Sequence, residues 1–365
     1  MTGSQDSERE RTQTVMHAAM EPPRAKRSRA RRLVRWVLGV VVVLIVAFAV
    51  FFFWASGTHD GMSGRMTNAG RDALPTPREL AVLTFNVAYG RGPAGDASGP
   101  WTEEHIRRHL DGIAAQIRDS GADLVFLQEV DLGAARSHDI DEGAYLLEKT
   151  GLASSSCIVT WDKNYVPFPY WPPSKHYGRM LSGQCVLSRY PIEASYRHAL
   201  PQPESYPWWR NRFYLQRKVD EVRVAIGDTK WVLFNVHTEA FDGPNRAEHA
   251  KIVAGLVAAA PDQARVIVAG DFNAPPPEAT QKKGFVDEPE TDFSDDATIA
   301  VARRMGLTQV LPDPAVFTFP ADAPTRRLDY VFAGPALDPI EATVLGAPPG
   351  PFSDHRPVFT RFTVR

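Results

Sequence analysis

The hydrophobic positions of the chain follow two different patterns. Residues 37–54 form one uncharged apolar run of 18 residues, whereas short apolar runs alternate with polar segments from residue 79 onward. At about 1.5 Å per residue, the long run covers roughly the 30 Å hydrocarbon core of a bilayer. A buried core helix would be shorter and would carry a polar face. We therefore predict a transmembrane signal anchor over residues 36–56.

Charges near the apolar run predict its orientation. Seven Lys and Arg residues without an acid lie between residues 24 and 35. Such residues stay in the cytosol, so residues 1–35 are predicted to be a disordered basic cytosolic tail. The rest of the chain is then periplasmic or extracellular. A cleaved signal peptide is the alternative, although its apolar region is usually about 7–15 residues. Residues 57–78 contain Gly and Pro but few large apolar residues, which is typical of a flexible linker.

Residues 79–365 are predicted to form one domain in which strands outnumber helices. Apolar runs predict strands over residues 80–86, 123–129, 185–189, 219–226, 231–237, 266–271, 328–332 and 357–364. Thr102 can cap a helix that ends at Gly121, a second helix is predicted over residues 245–260, and a third ends near Gly306. No period of 20–50 residues recurs, which argues against solenoids and propellers. The pattern favours two packed sheets that carry helices outside.

Composition narrows the class of protein. The 365 residues are 44% hydrophobic and 23% charged, with a formal net charge of −2. These values exclude a disordered or collagen-like chain and argue against a surface that is basic throughout. The two cysteines, Cys157 and Cys185, lie in segments that resemble strands. They could pair in an oxidising exterior or could be small buried hydrophobic residues, and the sequence leaves both alternatives open.

Polar residues occur at the ends of several predicted strands. They are Asn86, Glu129, His237, Asp271, Asn273, Asp329, Asp354 and His355. An unpartnered polar group costs a few kcal/mol to bury and a charge costs more, so these groups should converge on one another or on a cation. Carboxylates and an amide favour Mg²⁺, Mn²⁺ or Ca²⁺, and histidines can transfer protons or hold a phosphoryl oxygen.

The motifs TFNV, LQEV, NVHT, GDFNA, RLDYVF and SDHRP occur in an order that resembles the endonuclease/exonuclease/phosphatase superfamily. This superfamily has the deoxyribonuclease I-like fold and includes sphingomyelinases and inositol polyphosphate phosphatases. The resemblance covers about residues 80–365. It implies an α+β fold, a four-layer α/β/β/α sandwich of two mostly antiparallel sheets with flanking helices, here preceded by one transmembrane helix. It also implies metal-dependent phosphoester hydrolysis.

The resemblance assigns metal ligands residue by residue. Glu129 is expected to be the principal ligand, with Asn86 and Asp354 close to the metal and its waters. Mg²⁺ is the expected ion, and Mn²⁺ or Ca²⁺ are alternatives. The reaction would be an in-line attack of water on phosphorus, which needs a positioned water and charge neutralisation. Residues of the same motifs would supply both.

Catalytic roles follow from the same comparison. His355, oriented by Asp329, resembles the general base that activates water. His237 resembles the histidine that hydrogen-bonds the phosphoryl oxygen or assists the leaving group. Asp271 and Asn273 resemble the pair that positions the nucleophile and the phosphate.

One segment departs from the nuclease pattern. Some nuclease members orient the histidine equivalent to His237 with a glutamate, whereas the corresponding segment here reads Ser182-Gly183-Gln184. Gln184 can donate a hydrogen bond but carries no charge. The departure weakens the analogy with nucleases and leaves hydrolase chemistry intact.

The segment 161–220 is rich in aromatic, proline and basic residues, with nine Lys and Arg against four acids. Aromatic and basic loops suit a lipid head group at a membrane or single-stranded nucleic acid. The anchor favours lipid because it holds the domain near lipid at a high effective concentration. Arg217 and Arg210 are candidates for binding the substrate phosphate. A nuclease, a phosphomonoesterase and an inactive binding or scaffold domain are the alternatives, and no protein partner is inferred.

Overall fold

The computed structural model describes residues 24–58, 64–68, 74–93, 99–346 and 351–365. It divides into the units Met1–Trp54 and Ala55–Arg365. Helix α1 (Arg24–Ala55) contains the apolar run, and its stretch Arg29–Ala55 is long and apolar enough to cross a membrane, with a mean hydropathy of 3.1 in its most apolar window. The expectation of disorder up to residue 35 is wrong for residues 24–35, because Ala and Arg are good helix formers and continue α1. Residues 1–23 lie outside the described residues.

Two facing β-sheets build the second unit. The first contains, in spatial order, β1 (Gly64–Asn68), β4 (Ser154–Val166), β5 (Gly178–Ser188), β3 (Leu124–Asp131), β2 (Glu79–Asn86), β13 (Val358–Val364) and β12 (Leu337–Val344). The second contains β10 (Thr308–Gln309), β11 (Asp329–Ala333), β9 (Val266–Asp271), β8 (Thr229–His237), β7 (Lys218–Ile226) and β6 (Ile192–Ala199).

Helices cover the outer faces of the sheets. They are α2 (Glu103–Ser120), α3 (Glu142–Thr150), α5 (Gly243–Ala258) and α6 (Thr298–Ala302). The short helix α4 (Trp208–Phe213) lies between β6 and β7 and buries none of its residues. Side chains alternate along each strand: Leu80 and Val82 pack between the sheets, whereas Leu83 packs outward with Ile113 of α2. Val253 of α5 belongs to the core outside the second sheet. The predicted four-layer α/β/β/α sandwich is confirmed.

Each sheet contains one parallel pair, and the other strand pairs in the described residues are antiparallel. The parallel pairs are β2 with β3 and β8 with β9. Asn86 lies opposite Gln128 in the first pair, and His237 lies opposite Asp271 in the second. Because parallel strands end at the same edge, the polar residues at their carboxyl ends are brought together.

The segment 57–78 differs from the flexible linker that was expected. Its residues 64–68 form β1, which pairs antiparallel with β4. Just before it, the Lys163 Nζ donates to the Ser56 carbonyl at 3.2 Å, and the Asn164 amide donates to the Gly57 carbonyl at 2.9 Å. The edge strand reads GRMTN and has no apolar alternation, so its pairing depends on backbone hydrogen bonds that composition does not reveal.

The two cysteines form a disulfide, so they pair with each other and are not two separate buried thiols. Cys157 and Cys185 lie directly opposite each other in β4 and β5, with their Cα atoms 4.1 Å apart. Gly143 of α3 packs on the bridge, and a Cβ there would lie 2.7 Å from the Cys157 Sγ. The bridge therefore belongs to the core under α3.

Candidate active site

Asp271 lies at the centre of the polar residues at the edge of the sandwich. Its Oδ2 accepts a hydrogen bond from the Asn86 Nδ2 at 3.0 Å and lies 3.5 Å from the His237 Nε2 and 3.7 Å from the His355 Nε2. The side chains come from β2, β8, β9 and the segment before β13, so both sheets contribute. Asp271, Asn86, His237 and His355 are all buried. The geometry brings together four of the eight strand-end residues that were expected to converge.

Backbone geometry around Asp271 explains the GDFN motif. A Cβ on Gly270 would lie 1.9 Å from the Val236 carbonyl oxygen, so only glycine lets β8 and β9 approach here. Asn273 adopts a left-handed conformation with φ of 48°. Its amide donates to the Asp271 Oδ1 at 2.8 Å, and its side-chain Nδ2 donates to the Thr238 carbonyl at 3.1 Å. Asn273 therefore orients the Asp271 carboxylate.

Glu129 sits on a local irregularity of β3. The register with β5 shifts between Leu127 and Val130, and Glu129 has φ of 56°. Such a conformation costs roughly 1–3 kcal/mol in a non-glycine residue and is enriched at functional sites. Glu129 Oε2 accepts from the Arg91 Nη2 at 3.4 Å, and Oε1 lies 3.8 Å from the His237 Nε2. The side chain remains 19% exposed, which leaves its carboxylate accessible to a ligand.

Arg91 was missed by the sequence analysis. It follows the short turn after β2, and its Nε donates to the Ala88 carbonyl at 2.9 Å. This second contact fixes the guanidinium beside Glu129. The only signal for it in the sequence is its position five residues after Asn86, in the glycine-containing segment AYGRG.

His355 and Asp329 form a hydrogen-bonded dyad. The His355 Nδ1 lies 2.8 Å from the Asp329 Oδ2, and the ring of Phe319 packs on the imidazole at 4.7 Å between centroids. Burial opposes the charged imidazole, but the carboxylates of Asp329 and Asp271 prevail and raise the pKa of His355 to about 10. The predicted orientation of His355 by Asp329 agrees with this contact.

The pKa values of Asp271 and His237 shift in opposite directions. Burial, together with the charge of Asp329, raises the pKa of Asp271 to about 7, against the opposing effect of His355. Burial and the charge of Arg217 hold the pKa of His237 well below its usual value. Acid and base groups with separated pKa values are typical of catalytic sites.

The two arginine candidates lie in different places. Arg217, just before β7, is buried, and its Nε has no hydrogen-bond partner in the described part of the chain. Burial opposes its charge, but Tyr214, Glu239 and other nearby groups, Glu129 included, raise its pKa. Arg210 is exposed and stacks on the Tyr206 ring at 3.6 Å. Arg217 is therefore directed toward the site, whereas Arg210 belongs to the rim.

Amide side chains connect the two sheets beneath the site. The Gln128 Nε2 donates to the Asn235 Oδ1 at 2.7 Å, and the Asn235 Nδ2 donates to the carbonyls of Leu127 and Cys185 at 3.0 Å. The Gln184 Nε2 donates to the Asn235 carbonyl at 2.8 Å. Gln184 thus supports the strand that ends in His237, and its side-chain amide donates hydrogen bonds to backbone carbonyls.

The residues fit a hard divalent cation. Asp271, Asp329 and His355 offer ligand atoms that lie within 4.8 Å of one another. The Asp329 Oδ1 is buried and has no hydrogen-bond partner among the described residues, so it is an acceptor that a cation could use. This cluster differs from the expected ligands Glu129, Asn86 and Asp354. Asn86 contacts residues of both groups of candidate ligands. Its side chain donates to Asp271, and its backbone carbonyl accepts a hydrogen bond from the Oγ of Ser353, the residue before Asp354.

A carboxylate-rich site with two histidines at the edge of such a sandwich defines a candidate metal-dependent hydrolase. Residues 83–355 match the Endonuclease/Exonuclease/phosphatase family, and the chain belongs to this family of phosphoester hydrolases. No curated protein matches the chain.

Solved structures show the same fold. An endonuclease/exonuclease/phosphatase from Beutenbergia cavernae is 23% identical, with a TM-score of 0.54 over 79% of this chain and 72% of the other. A mannosyl-6-phosphatase from Bacteroides thetaiotaomicron is 16% identical, with a TM-score of 0.52 over 78% and 99%. The complex of D. rerio TDP2 with a single-strand DNA product is 16% identical, with a TM-score of 0.51 over 78% and 99%. These similarities concern the fold alone.

Proposed function

We propose that the chain is an exported, membrane-anchored phosphodiesterase that cleaves a lipid phosphodiester head group by in-line attack of water. The observation that carries the chemistry is the convergence of His237, His355 and Asn86 on the Asp271 Oδ2. An amide, two imidazoles and a carboxylate within 3.7 Å can position a water and stabilise a phosphoryl group together.

In this proposal, the attacking water lies between the Asp271 Oδ2 and the His355 Nε2. These atoms are 3.7 Å apart, which is too long for a direct hydrogen bond. The Asp329 contact at Nδ1 leaves Nε2 of His355 to face the water and receive its proton. Arg217 binds a non-bridging oxygen, and His237 either hydrogen-bonds a non-bridging oxygen or assists the departing alkoxide.

Glu129, Asn86 and Asp354 are proposed to hold Mg²⁺, with Mn²⁺ or Ca²⁺ as alternatives. The cation would neutralise the phosphoryl oxygens and, through its charge, lower the pKa of His355 toward neutrality. Arg91 keeps the Glu129 carboxylate in place from the other side. The oxygen-rich donor set supports a hard cation.

The lipid assignment is supported by the loops that border the site. Tyr214 lies near α4, and its hydroxyl donates to Glu239, two residues after His237, at 2.7 Å. Trp209 in α4 is 46% exposed to solvent, and Trp171 in the loop after β4 is 80% exposed. Exposed tryptophans suit a membrane interface. We further propose that the N-terminus is cytoplasmic and the catalytic unit lies outside the cell membrane.

The test places the full chain in vesicles with Mg²⁺ and measures its hydrolysis of several substrates. These are lipids with different head groups, single-stranded DNA, duplex DNA and a sugar phosphate, which is a phosphomonoester. Phosphodiester lipid cleavage that is lost in His355→Ala but retained in Lys230→Gln supports the proposal, because Lys230 is an exposed residue remote from the site chemistry. Cleavage of DNA or of the phosphomonoester alone would contradict the lipid assignment.

Topology is tested separately with a reporter fused after Arg365 that is active only outside the cytoplasmic membrane. Activity of the fusion in intact cells is expected. A reporter active only in the cytoplasm would reverse the orientation.

A further inference from the structure

A polar cavity of about 380 Å³ lies where the chain joins the catalytic unit. Its lining includes Thr58, residues of β4, the start of β7 and the loop before it. Three of its side chains are cations, namely Lys163, Arg197 and Lys218, and Asp162 is the one carboxylate among the described lining residues. The cavity thus has an excess of positive charge, which suits an anionic ligand.

The two lysines of this cavity are partly buried, and a second cation lies near each of them. Burial lowers the pKa of Lys163 against the opposing effect of Asp162, and the charge of Arg212, which lies outside the lining, lowers it further. Burial and the charge of Arg197 lower the pKa of Lys218, again against the effect of Asp162. The Lys163 Nζ bonds the Ser56 carbonyl, and the Lys218 Nζ bonds the Val159 carbonyl, so both ammonium groups are fixed by the backbone. An anion near Lys218 and Arg197 would relieve the repulsion between these two cations.

The cavity lies close along the chain to the apolar run. Thr58 follows Trp54 by four residues, which span at most about 14 Å when extended. Ser56 is tied to the catalytic unit by Lys163 and by the Arg212 Nε, which donates to its Oγ at 3.2 Å. A bilayer has roughly 5–8 Å of head-group layer on each side of its hydrocarbon core. If α1 crosses the bilayer, the cavity is therefore within reach of the head groups.

The cavity is distinct from the catalytic site. Lys218 lines the cavity, whereas the neighbouring Arg217 is buried and interacts electrostatically with Glu129. Tyr214 lines the cavity, and its hydroxyl reaches Glu239 on the catalytic side. One loop therefore borders both sites.

We propose that this cavity binds the phosphate-bearing head group of an anionic phospholipid in the bilayer that holds α1. The inference rests on the proposed membrane anchoring and adds a second, non-catalytic lipid site. Its function would be to fix the catalytic unit against the membrane surface at the point where the chain leaves the bilayer.

The test uses the full chain in detergent micelles, titrated with phosphatidylglycerol or phosphatidylcholine and analysed by native mass spectrometry. Wild type should bind phosphatidylglycerol more tightly than phosphatidylcholine. Arg197→Gln and Lys218→Gln should each weaken phosphatidylglycerol binding by about fivefold, the effect of one basic residue at an anionic surface. Arg197 is exposed, so its substitution should leave the fold intact even if Lys218→Gln does not fold. Lys230→Gln, which removes an exposed lysine elsewhere, should bind like wild type.

Equal affinities of wild type and both cavity variants for phosphatidylglycerol would overturn the proposal, as would equal affinities for the two lipids. Displacement of the lipid by inorganic phosphate at the same concentration would make the cavity a simple anion site and would also overturn it. Glu129→Gln separates the two proposals, because it should lose hydrolysis and retain the lipid. A wild-type chain that cleaves no lipid but shows the variant pattern would refute the proposed substrate and support this site.

Discussion

Asp220 is a buried carboxyl group whose ionisation should limit the stability of the protein. It lies on β7, is fully buried, and accepts hydrogen bonds from the Ser195 Oγ at 2.8 Å and the Ser156 Oγ at 3.4 Å. Burial raises the pKa of Asp220 to about 7 from 3.8, against the opposing effect of the two serines. A raised pKa means that its contribution to stability is complete below about pH 4 and is lost as the pH rises to about 7.

The expected magnitude follows from this shift. One pKa unit corresponds to about 1.4 kcal/mol, so Asp220 lowers the free energy of unfolding, relative to its value at low pH, by about 2 kcal/mol at pH 5.5 and about 4 kcal/mol at pH 8.5. Asn has nearly the same shape and cannot ionise. Asp220→Asn should therefore gain about 2 kcal/mol of unfolding free energy, relative to wild type, between pH 5.5 and pH 8.5.

The assay is urea unfolding of both proteins at the two pH values, followed by tryptophan fluorescence. Asp220→Ala is the matched control, since it also removes the charge but leaves the two serine hydroxyls without their acceptor. It should show the same pH dependence from a lower baseline. A gain that is independent of pH, or larger at pH 5.5, would refute the argument.

Three other substitutions test separate parts of the account. Asn235→Ala should lower the free energy of unfolding by roughly 2–3 kcal/mol, measured by urea midpoint, because it removes the 2.7 Å acceptor of the Gln128 amide and two hydrogen bonds to backbone carbonyls. Asn235→Asp is the matched variant, and an unchanged midpoint in Asn235→Ala would contradict the amide network. Asp329→Asn should lower the pKa of His355 and reduce hydrolysis by roughly 10²–10⁴-fold, so the acidic limb of the pH–rate profile should move to lower pH; an unmoved profile would argue against the dyad. Gly143→Ala should cost about 1–3 kcal/mol, because its Cβ would meet the disulfide, and the cost should fall when the disulfide is reduced.

The core and the site could be anticipated because local rules determine them. Alternating apolar residues mark strands such as β7, and a polar residue at the end of a buried run, such as Asp271, needs partners. Parallel pairs then bring Asn86 and His237 to one edge of the sandwich. Local pattern was therefore sufficient for the residues at strand ends.

Long-range contacts could not be anticipated in the same way. The pairing of β1 with β4 and the contact of Ser56 with Lys163 join positions about a hundred residues apart, and no local pattern specifies them. Arg91 reaches Glu129 only because the turn after β2 folds back onto β3. Gln184 donates hydrogen bonds, as its side chain allows, but no local pattern specifies that the acceptors are backbone carbonyls of the facing sheet.

Metal-dependent hydrolysis by wild type and Glu129→Gln is the decisive assay of the proposed catalytic site. The full chain would be assayed on a chromogenic phosphodiester with Mg²⁺, with EDTA and after Mg²⁺ is restored. We expect activity that EDTA abolishes and Mg²⁺ restores in wild type, with a loss of at least about 10²-fold in Glu129→Gln. Full activity in EDTA, or a Glu129→Gln variant as active as wild type, would contradict the proposed catalytic site.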